Sequence, residues 1–194
     1  MFRYFIIYKP FNVLSQFSAQ AGKETLAVYC KVPKDVYPVG RLDYDSEGIL
    51  ILTNDTQLNH RLLNPGNKHE REYWVQVEGS ITEEALQNLQ QGVTISIDGK
   101  QHETLACKAH LFTVPPVVPD RYPPIRFRKE IPTSWISLSL VEGKNRQVRR
   151  MTAKVGFPTL RLIRYRIESV TIEGLQPGDM KEFTSKEMYD ALFT

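Results

Sequence analysis

The 194-residue chain contains only two cysteines, Cys30 and Cys107, which lie far apart in the sequence. Two distant cysteines exclude the disulfide framework of a small secreted domain and are typical of a protein in a reducing, cytoplasmic environment. Long apolar runs are missing too, because the run GILIL ends at Thr53, whereas a membrane-spanning helix needs about 20 apolar residues. The start, MFRYFIIYKP, lacks the small-residue cleavage site of a signal peptide. The sequence therefore predicts a cytoplasmic protein with no membrane partner.

Motifs for metals and nucleotides are also missing. The four histidines do not have the spacing of metal ligands. The segment DYDSEG resembles the start of a calcium loop, but Glu47 occupies its fifth position and Asn54 its twelfth, where such a loop needs a glutamate. Glycine-rich phosphate loops and the G-x-S-x-G elbow do not occur. We therefore predict no cofactor and no metal, while a magnesium site of Asp43, Asp45 and Asp55, as in a metal-dependent phosphoesterase, stays open.

Positive charge is concentrated in one stretch of the chain. Residues 121–166 contain twelve of the 25 Lys and Arg residues but only two of the 22 Asp and Glu residues. This stretch carries a charge of +10, and the remainder carries −7. A local excess of this size attracts polyanions, of which nucleic acid is the usual one. A solvated basic surface without a partner is the alternative.

The apolar patterns predict an α+β fold, with a mixed, mostly antiparallel central sheet flanked by four or five helices. GILILTN has the continuous apolar run of a strand that is buried on both faces. Asp55 is placed to cap the next helix, and Thr184 with Glu187 forms a capping box for the last one. KETLAVYCK predicts a short helix. The proline-rich segment 115–132 predicts a loop or an extended arm.

The segment VGRLDYDSEGILILTND places Arg41 and Asp43 directly before a turn that leads into the buried strand. Moving a charge from water toward a core is costly. An acid held beside an arginine at the edge of a core strand is therefore a candidate reactive group. A solvated turn residue is the alternative reading of Asp43.

The segment EGKNRQVRRMTAKVG predicts a helix from Asn145 to Gly156 in which Arg146, Arg150 and Lys154 share one face. Val148, Met151 and Val155 form an apolar stripe on the opposite face, and Arg149 falls near the boundary between the two faces. The free N–H groups at the start of such a helix attract anions. A surface helix with a basic side is the alternative.

Tyr73 and Trp74 are adjacent on a predicted strand, so their side chains point to opposite faces. One of them is expected in the core. The other is a candidate for stacking on a nucleobase, as exposed aromatic residues do in RNA-binding sheets. For a single tyrosine, a place in the core is the alternative.

Five segments, in this order, resemble the RNA pseudouridine synthases: YKP, GRLDYDSEGILILTND, REYWVQVEG, EGKNRQVRRMTAKVG and LRLIRYRI. They are most similar to the RsuA/RluB/RluE/RluF branch, and VLSQFS, PPIRFRKEIPTSW and TAKVGFPTLRLIRY resemble its RluE type, which modifies large-subunit (23S) ribosomal RNA. The resemblance implies a pseudouridine synthase fold, with one catalytic domain over residues 1–194 and two lobes around a basic cleft. It also implies site-specific isomerisation of uridine without a cofactor. Many relatives carry an N-terminal S4 domain, which we do not expect here.

The resemblance also implies roles for individual residues. Asp43 matches the catalytic aspartate, Tyr73 the tyrosine that stacks on the target uracil, and Arg149 the arginine that pairs with the aspartate. Arg41 is expected to reach into the RNA near the displaced base, and Leu162 to pack beneath that base. Further predicted RNA-binding residues are Arg146, where related branches have histidine, and Arg150, Lys154, Arg164, Arg126 and Arg128.

Several alternatives stay open at this point. A non-catalytic ribosomal RNA-binding protein would account for the basic stretch but would give Asp43 no function. A synthase that acts on a different RNA would keep every predicted role. Asp43 could serve as a nucleophile or as a base. We expect a monomer, because the sequence leaves no long apolar seam unused.

Overall fold

The computed structural model describes residues 1–126, 128 and 130–194, which form both strands and helices. The strands are β1 (Tyr4–Lys9), β2 (Val13–Leu14), β3 (Glu24–Thr25), β4 (Tyr37–Pro38), β5 (Glu47–Thr53), β6 (Arg71–Glu78), β7 (Thr94–Ile97), β8 (Lys100–Glu103), β9 (Lys108–Leu111), β10 (Thr133–Leu140), β11 (Thr159–Ile167), β12 (Val170–Thr171) and β13 (Met180–Phe183). The α-helices in this described range are α1 (Thr56–Leu63), α2 (Glu83–Gln91), α3 (Gln147–Lys154) and α4 (Ser185–Phe193). The predicted α+β class is confirmed. Over the same residues, no helix has the length and apolar character that crossing a membrane requires.

The chain divides into two compact units. The first unit comprises residues 1–69 and 163–194, and the second unit comprises residues 70–162. The prediction of one domain over residues 1–194 stays a prediction.

In the first unit, β1 lies between β13 and β5 and is antiparallel to both. Strand β5 also pairs with β4 in antiparallel fashion, and its residues Glu47 and Gly48 pair in parallel with Ile163 and Arg164 of β11. Every residue of β1 and of β5 is buried. The predicted burial of GILILTN on both faces is therefore confirmed, as is the mixed, mostly antiparallel pairing.

The carboxylate of Asp55 accepts hydrogen bonds from both the N-terminal and the C-terminal segments of the first unit. It accepts hydrogen bonds from the backbone N–H groups of Gln57 (2.9 Å) and Leu58 (3.1 Å), which confirms the predicted helix cap. It also accepts from the hydroxyls of Tyr4 (2.8 Å) and Tyr189 (2.7 Å). Because Tyr4 lies on β1 and Tyr189 on α4, one buried carboxylate joins the first strand to the last helix.

In the second unit, β10 is antiparallel to both β6 and β9, and β7 forms a hairpin with β8. Helices α2 and α3 cover this sheet with aliphatic side chains. The buried core consists of Val75, Val77, Ile81, Ala85, Leu86, Leu89, Ile95, Ala109, Ile136, Leu138, Leu140, Val148, Met151 and Leu162.

Two predicted helices differ from the structure. The helix expected in KETLAVYCK is wrong, because β3 pairs with β2 and only Leu26–Val28 form a 3-10 turn. Helix α3 begins at Gln147 rather than Asn145, and Arg146 has a left-handed backbone with φ of 51°. The buried Gln147 side chain accepts from the N–H of Lys144 and donates to Glu142, which closes a turn where the helix was expected. Arg146 therefore does not share a helix face with Arg150 and Lys154, and that part of the prediction is wrong.

Candidate functional site

Asp43 lies in the turn that leads into β5 of the first unit. The N–H of Ser46 donates to the Asp43 carbonyl at 3.1 Å, which closes the turn, and the N–H of Val39 donates to Ile51 at 2.8 Å. Asp43 is half-buried, and Arg41 is exposed. The turn thus holds a carboxylate at the start of a fully buried strand, where the backbone has little freedom to move.

Two side chains that the sequence reasoning missed hold this turn. The Ser15 hydroxyl donates to the Leu42 carbonyl at 2.9 Å and accepts from the Leu42 N–H at 3.0 Å. The Lys9 ammonium donates to the carbonyls of Val13 (2.7 Å) and Pro10 (2.8 Å), and it lies 3.5 Å from the Tyr44 carbonyl. Both residues lie in segments that the family resemblance includes, Lys9 in YKP and Ser15 in VLSQFS, but the sequence analysis assigned no role to either.

Lys9 is completely buried, with a relative exposure of 0%. Burial lowers the pKa of its ammonium to about 7, although the neighbouring carboxylates of Glu47, Asp45 and Asp43 favour the charged form. A neutral amine is therefore accessible to Lys9 close to physiological pH.

Arg164, predicted to bind RNA, is also buried in the first unit, with a relative exposure of 6%. Its Nε donates to the Ile49 carbonyl at 2.9 Å. Its backbone pairs with Gly48. The structure thus gives Arg164 a packing role within the first unit, and its contact with RNA stays a prediction.

In the second unit, the structure brings Tyr73 and Leu162 into one cluster. Leu162 is a buried member of the core, and Tyr73, half-buried on β6, packs against that core. Trp74 is half-buried as well; its ring packs edge-on against Phe112, with centroids 5.4 Å apart, and its N–H donates to Glu72. Tyr73 therefore packs against the core on one side and keeps partial access to solvent.

Helix α3 turns Val148 and Met151 into the core, which confirms the predicted apolar stripe. Arg149 is half-buried at its edge, as the sequence predicted, while Arg146 and Lys154 are exposed. Arg150 donates to the backbone carbonyl and the side-chain oxygen of Asn145, at 3.1 and 3.3 Å, and to the Ser96 carbonyl. Three of its hydrogen bonds thus connect α3 to β7 and to the turn before the helix.

The proline-rich segment 115–132 is attached to the second unit by arginines. Arg161, a buried residue of β11, donates to the Pro119 carbonyl at 2.8 Å, and Arg121 donates to the Leu160 carbonyl at 3.4 Å. Arg128 pairs with Glu78 at 3.1 Å, and Arg126 is exposed. Residues 127 and 129, which belong to the predicted arm, lie outside the described residues. The predicted arm is thus anchored at several points.

The magnesium alternative required Asp55 to join Asp43 and Asp45. The Asp55 carboxylate instead accepts four hydrogen bonds from α1 and from two tyrosines. In the part of the chain that the structure describes, no group of three or more His, Cys, Asp or Glu side chains could hold a metal ion. The geometry therefore does not support a metal-dependent phosphoesterase.

Comparison with known proteins gives consistent matches. A family model described as RNA pseudouridylate synthase matches residues 3–154. A protein of Vibrio parahaemolyticus named ribosomal large subunit pseudouridine synthase E is 49% identical over 91% of this chain and 72% of its own length. A protein of the same name from Xanthomonas axonopodis is 48% identical over 89% of both chains. A Bacillus subtilis protein named ribosomal large subunit pseudouridine synthase B is 34% identical over 95% of this chain and 69% of its own length.

Among solved structures, one described as a pseudouridylate synthase superposes with a TM-score of 0.78. The match covers 99% of this chain and 74% of the other, at 24% sequence identity. At that identity the likeness establishes the fold alone, and it confirms the fold that the sequence motifs predicted.

Proposed function

We infer that this chain, which belongs to the RNA pseudouridylate synthase family, isomerises a uridine of large-subunit (23S) ribosomal RNA to pseudouridine. The chain is an RNA pseudouridine synthase, and RNA is its partner. The choice of large-subunit RNA is supported by relatives that are 48–49% identical over about nine-tenths of the chain and carry that substrate in their names. Those names are the observation that carries the proposal.

The reaction balances without an external group. The bond between N1 of uracil and the sugar carbon breaks, the ring rotates, and C5 bonds to the same carbon. C5 loses its hydrogen and N1 gains one, so no electrons leave or enter the substrate. A carboxylate can assist as a nucleophile at the sugar carbon or as a base, and both roles need it ionised. Asp43 is the residue that we propose for this step.

The target base must leave the helical stack before any residue can reach it. We assign Tyr73 to stacking on the uracil and Leu162 to packing beneath it, because stacking on an aromatic ring offsets part of the cost of unstacking. Arg149 is assigned to the Asp43 carboxylate, since an opposite charge favours the ionised form and fixes its orientation. Arg41 would contact the RNA near the position that the target base leaves in the helical stack.

Exposed cations would hold the RNA backbone. Arg146 before α3, Lys154 at the end of α3, and Arg126 and Arg128 of the arm are exposed. Phosphate contacts by such side chains supply most of the sequence-independent affinity. Arg128 shares its charge with Glu78. We therefore expect Arg126 to contribute more than Arg128.

Tritium release from large-subunit ribosomal RNA labelled at uridine C5 tests the proposal. Wild-type protein and an Asp98→Asn control should release tritium in excess EDTA, and Asp43→Asn should release none while still binding the RNA. The control is matched because Asp98 is an exposed turn residue with positive φ, a conformation that asparagine tolerates.

Each other result has a distinct meaning. Tritium release by Asp43→Asn would show that the Asp43 carboxylate is not needed for the reaction. Release by wild type only from small-subunit RNA or tRNA would replace the proposed substrate. Binding without release from any of these RNAs would favour a non-catalytic RNA-binding protein.

A further inference from the structure

Lys9 is an unusual residue for the interior of the first unit. Its ammonium is fully buried and donates to the carbonyls of Pro10, just after β1, and Val13, the first residue of β2. It also lies 3.5 Å from the Tyr44 carbonyl, in the turn that carries Asp43. Burying a charged group costs several kcal/mol unless it is well compensated. An apolar side chain of similar length would fill the same space without that cost.

Ser15 reaches the same turn from the next segment. Its hydroxyl both donates to and accepts from the backbone of Leu42, the residue before Asp43. Ser15 is itself 8% exposed and follows β2, whose first residue, Val13, accepts from Lys9. Lys9 and Ser15 therefore contact the turn on both sides of Asp43, at Tyr44 and at Leu42.

The charged groups around the Lys9 ammonium come from three elements. Asp43 and Asp45 lie in the turn, Glu47 begins β5, and Arg164 approaches from β11. The three carboxylates attract the ammonium and the guanidinium repels it. A protonated Lys9 thus adds positive charge beside Asp43 as well as hydrogen bonds to the turn.

We propose that Lys9 and Ser15 are positioning residues that hold the turn on both sides of Asp43, so that its carboxylate stays in the reactive orientation. The inference rests on the proposed function of Asp43. It explains why a buried amine stands where an apolar side chain would pack at lower cost, because only a hydrogen-bond donor can engage the turn.

Lys9→Met tests the proposal, with exposed Lys31→Met as the matched control. Because a small displacement of a catalytic group costs up to about 100-fold in rate, kcat for tritium release should fall roughly 10- to 100-fold. KM for the RNA should stay within about twofold, since neither residue is assigned to RNA contact. Lys31→Met should match wild type in both constants.

Ser15→Ala tests the other side of the turn and decides the question if Lys9→Met does not fold. Its kcat should fall in the same way, with Ser169→Ala as an exposed control in the first unit. Ser15→Thr keeps the hydroxyl and should recover part of the lost rate. If Ser15 only filled space, Ser15→Ala would instead have a higher kcat than Ser15→Thr, because alanine fits any space that serine fills and threonine does not.

The pH profile separates positioning from stability alone. In wild type, kcat/KM should decrease as Lys9 loses its proton near pH 7, and this inflection should be missing in Lys9→Met. An unchanged kcat in folded Lys9→Met and Ser15→Ala, a change confined to KM, or a wild-type inflection that survives in Lys9→Met would overturn the proposal. Inactive wild type would instead refute the proposed function, so the two failures are distinguishable.

Discussion

Gly48 lies against the backbone of Arg164, so closely that a Cβ on Gly48 would be 2.2 Å from the Arg164 carbonyl oxygen and 2.6 Å from its nitrogen. The contact arises because β5 and β11 pair in parallel at these residues. Gly48 also has a φ of +111°, where side chains are strained. The glycine that follows the Asp43 turn is thus required for strand packing, independently of any chemistry.

Gly48→Ala should therefore lower the free energy of unfolding by about 3 kcal/mol, because neither strand can move away without breaking the pairing. Urea denaturation measures the loss. Gly174→Ala is the matched control, since Gly174 also has a positive φ, of +77°, but nothing within 4 Å of the added Cβ. Equal losses in both variants would show that backbone conformation, and not the close approach to Arg164, sets the requirement.

Asp55→Asn should destabilise the first unit by about 3 kcal/mol at neutral pH, because an amide replaces a carboxylate that accepts four hydrogen bonds. Burial opposes ionisation of Asp55, but hydrogen bonds from Tyr189, Leu58, Tyr4 and Gln57 outweigh it and hold the pKa below the ordinary aspartate value. A lowered pKa contributes stability above the unfolded-state value near 4, and this contribution is lost as pH falls through the folded-state pKa.

Thermal unfolding between pH 7 and pH 3 checks this expectation. The difference in Tm between wild type and Asp55→Asn should shrink toward acid pH, while the exposed-residue control Asp190→Asn should follow wild type throughout. A pH-independent difference would mean that packing, and not the ionised carboxylate, is what the substitution removes.

Lys9 also makes stability rise with pH, but over a higher pH range and because burial disfavours its charged form. Burial lowers its pKa from an ordinary value of 10.5 to about 7, so the folded protein releases this proton earlier than the unfolded chain. Below pH 7 the cost of burying the charge is complete, and between about 7 and 10.5 it is relieved, so the contribution of Lys9 to stability rises with pH. The change amounts to a few kcal/mol. Urea denaturation at pH 7 and pH 9.5 should show this rise in the free energy of unfolding of wild type relative to Lys9→Met. If the free energies of both proteins changed equally between these pH values, the Lys9 pKa would not be lowered as proposed.

Lys154 and Arg150 should differ in their effect on RNA affinity. Lys154→Ala should weaken binding and reduce the slope of log K against log salt by about 0.7 to 0.9, the share of one neutralised phosphate. Arg150→Ala should change the slope less, because its guanidinium already donates to Asn145 and Ser96. Filter binding to ribosomal RNA at several salt concentrations measures both. A larger slope change in Arg150→Ala would show that RNA displaces those internal contacts.

Arg161→Ala should loosen the arm of residues 115–132, because it removes the hydrogen bond from Arg161 to the Pro119 carbonyl. Trypsin should then cleave after Arg121 or Arg126 faster than in wild type, since cleavage follows local opening of the chain. Mass spectrometry of the first fragments identifies the site, and Lys154→Ala is an exposed control. Unchanged cleavage would mean that the other contacts of the arm suffice.

Local features of the structure could be predicted from the sequence. The cap of α1 at Asp55 and the capping box of Thr184 and Glu187 depend on residues three positions apart or fewer. The buried strand β5 follows from a continuous apolar run. The helix wrongly expected in KETLAVYCK (residues 23–31) and the wrong start of α3 at Asn145 have the same kind of cause. Strand pairing with β2 in the first case, and the hydrogen bonds of the buried Gln147 side chain in the second, compete with local helix preference.

The sequence by itself determined the family and the candidate residues, because the motif around Asp43 and the segment around Arg149 are specific to the chemistry that they serve. The tertiary structure alone decided which residues support that motif. Lys9 is buried beside the Tyr44 carbonyl of the turn, Gly48 lies against Arg164, and Arg150 donates to the Ser96 carbonyl. The physical reason is that these contacts join residues far apart in the chain, so their energies depend on strand pairing and burial, which no local pattern records.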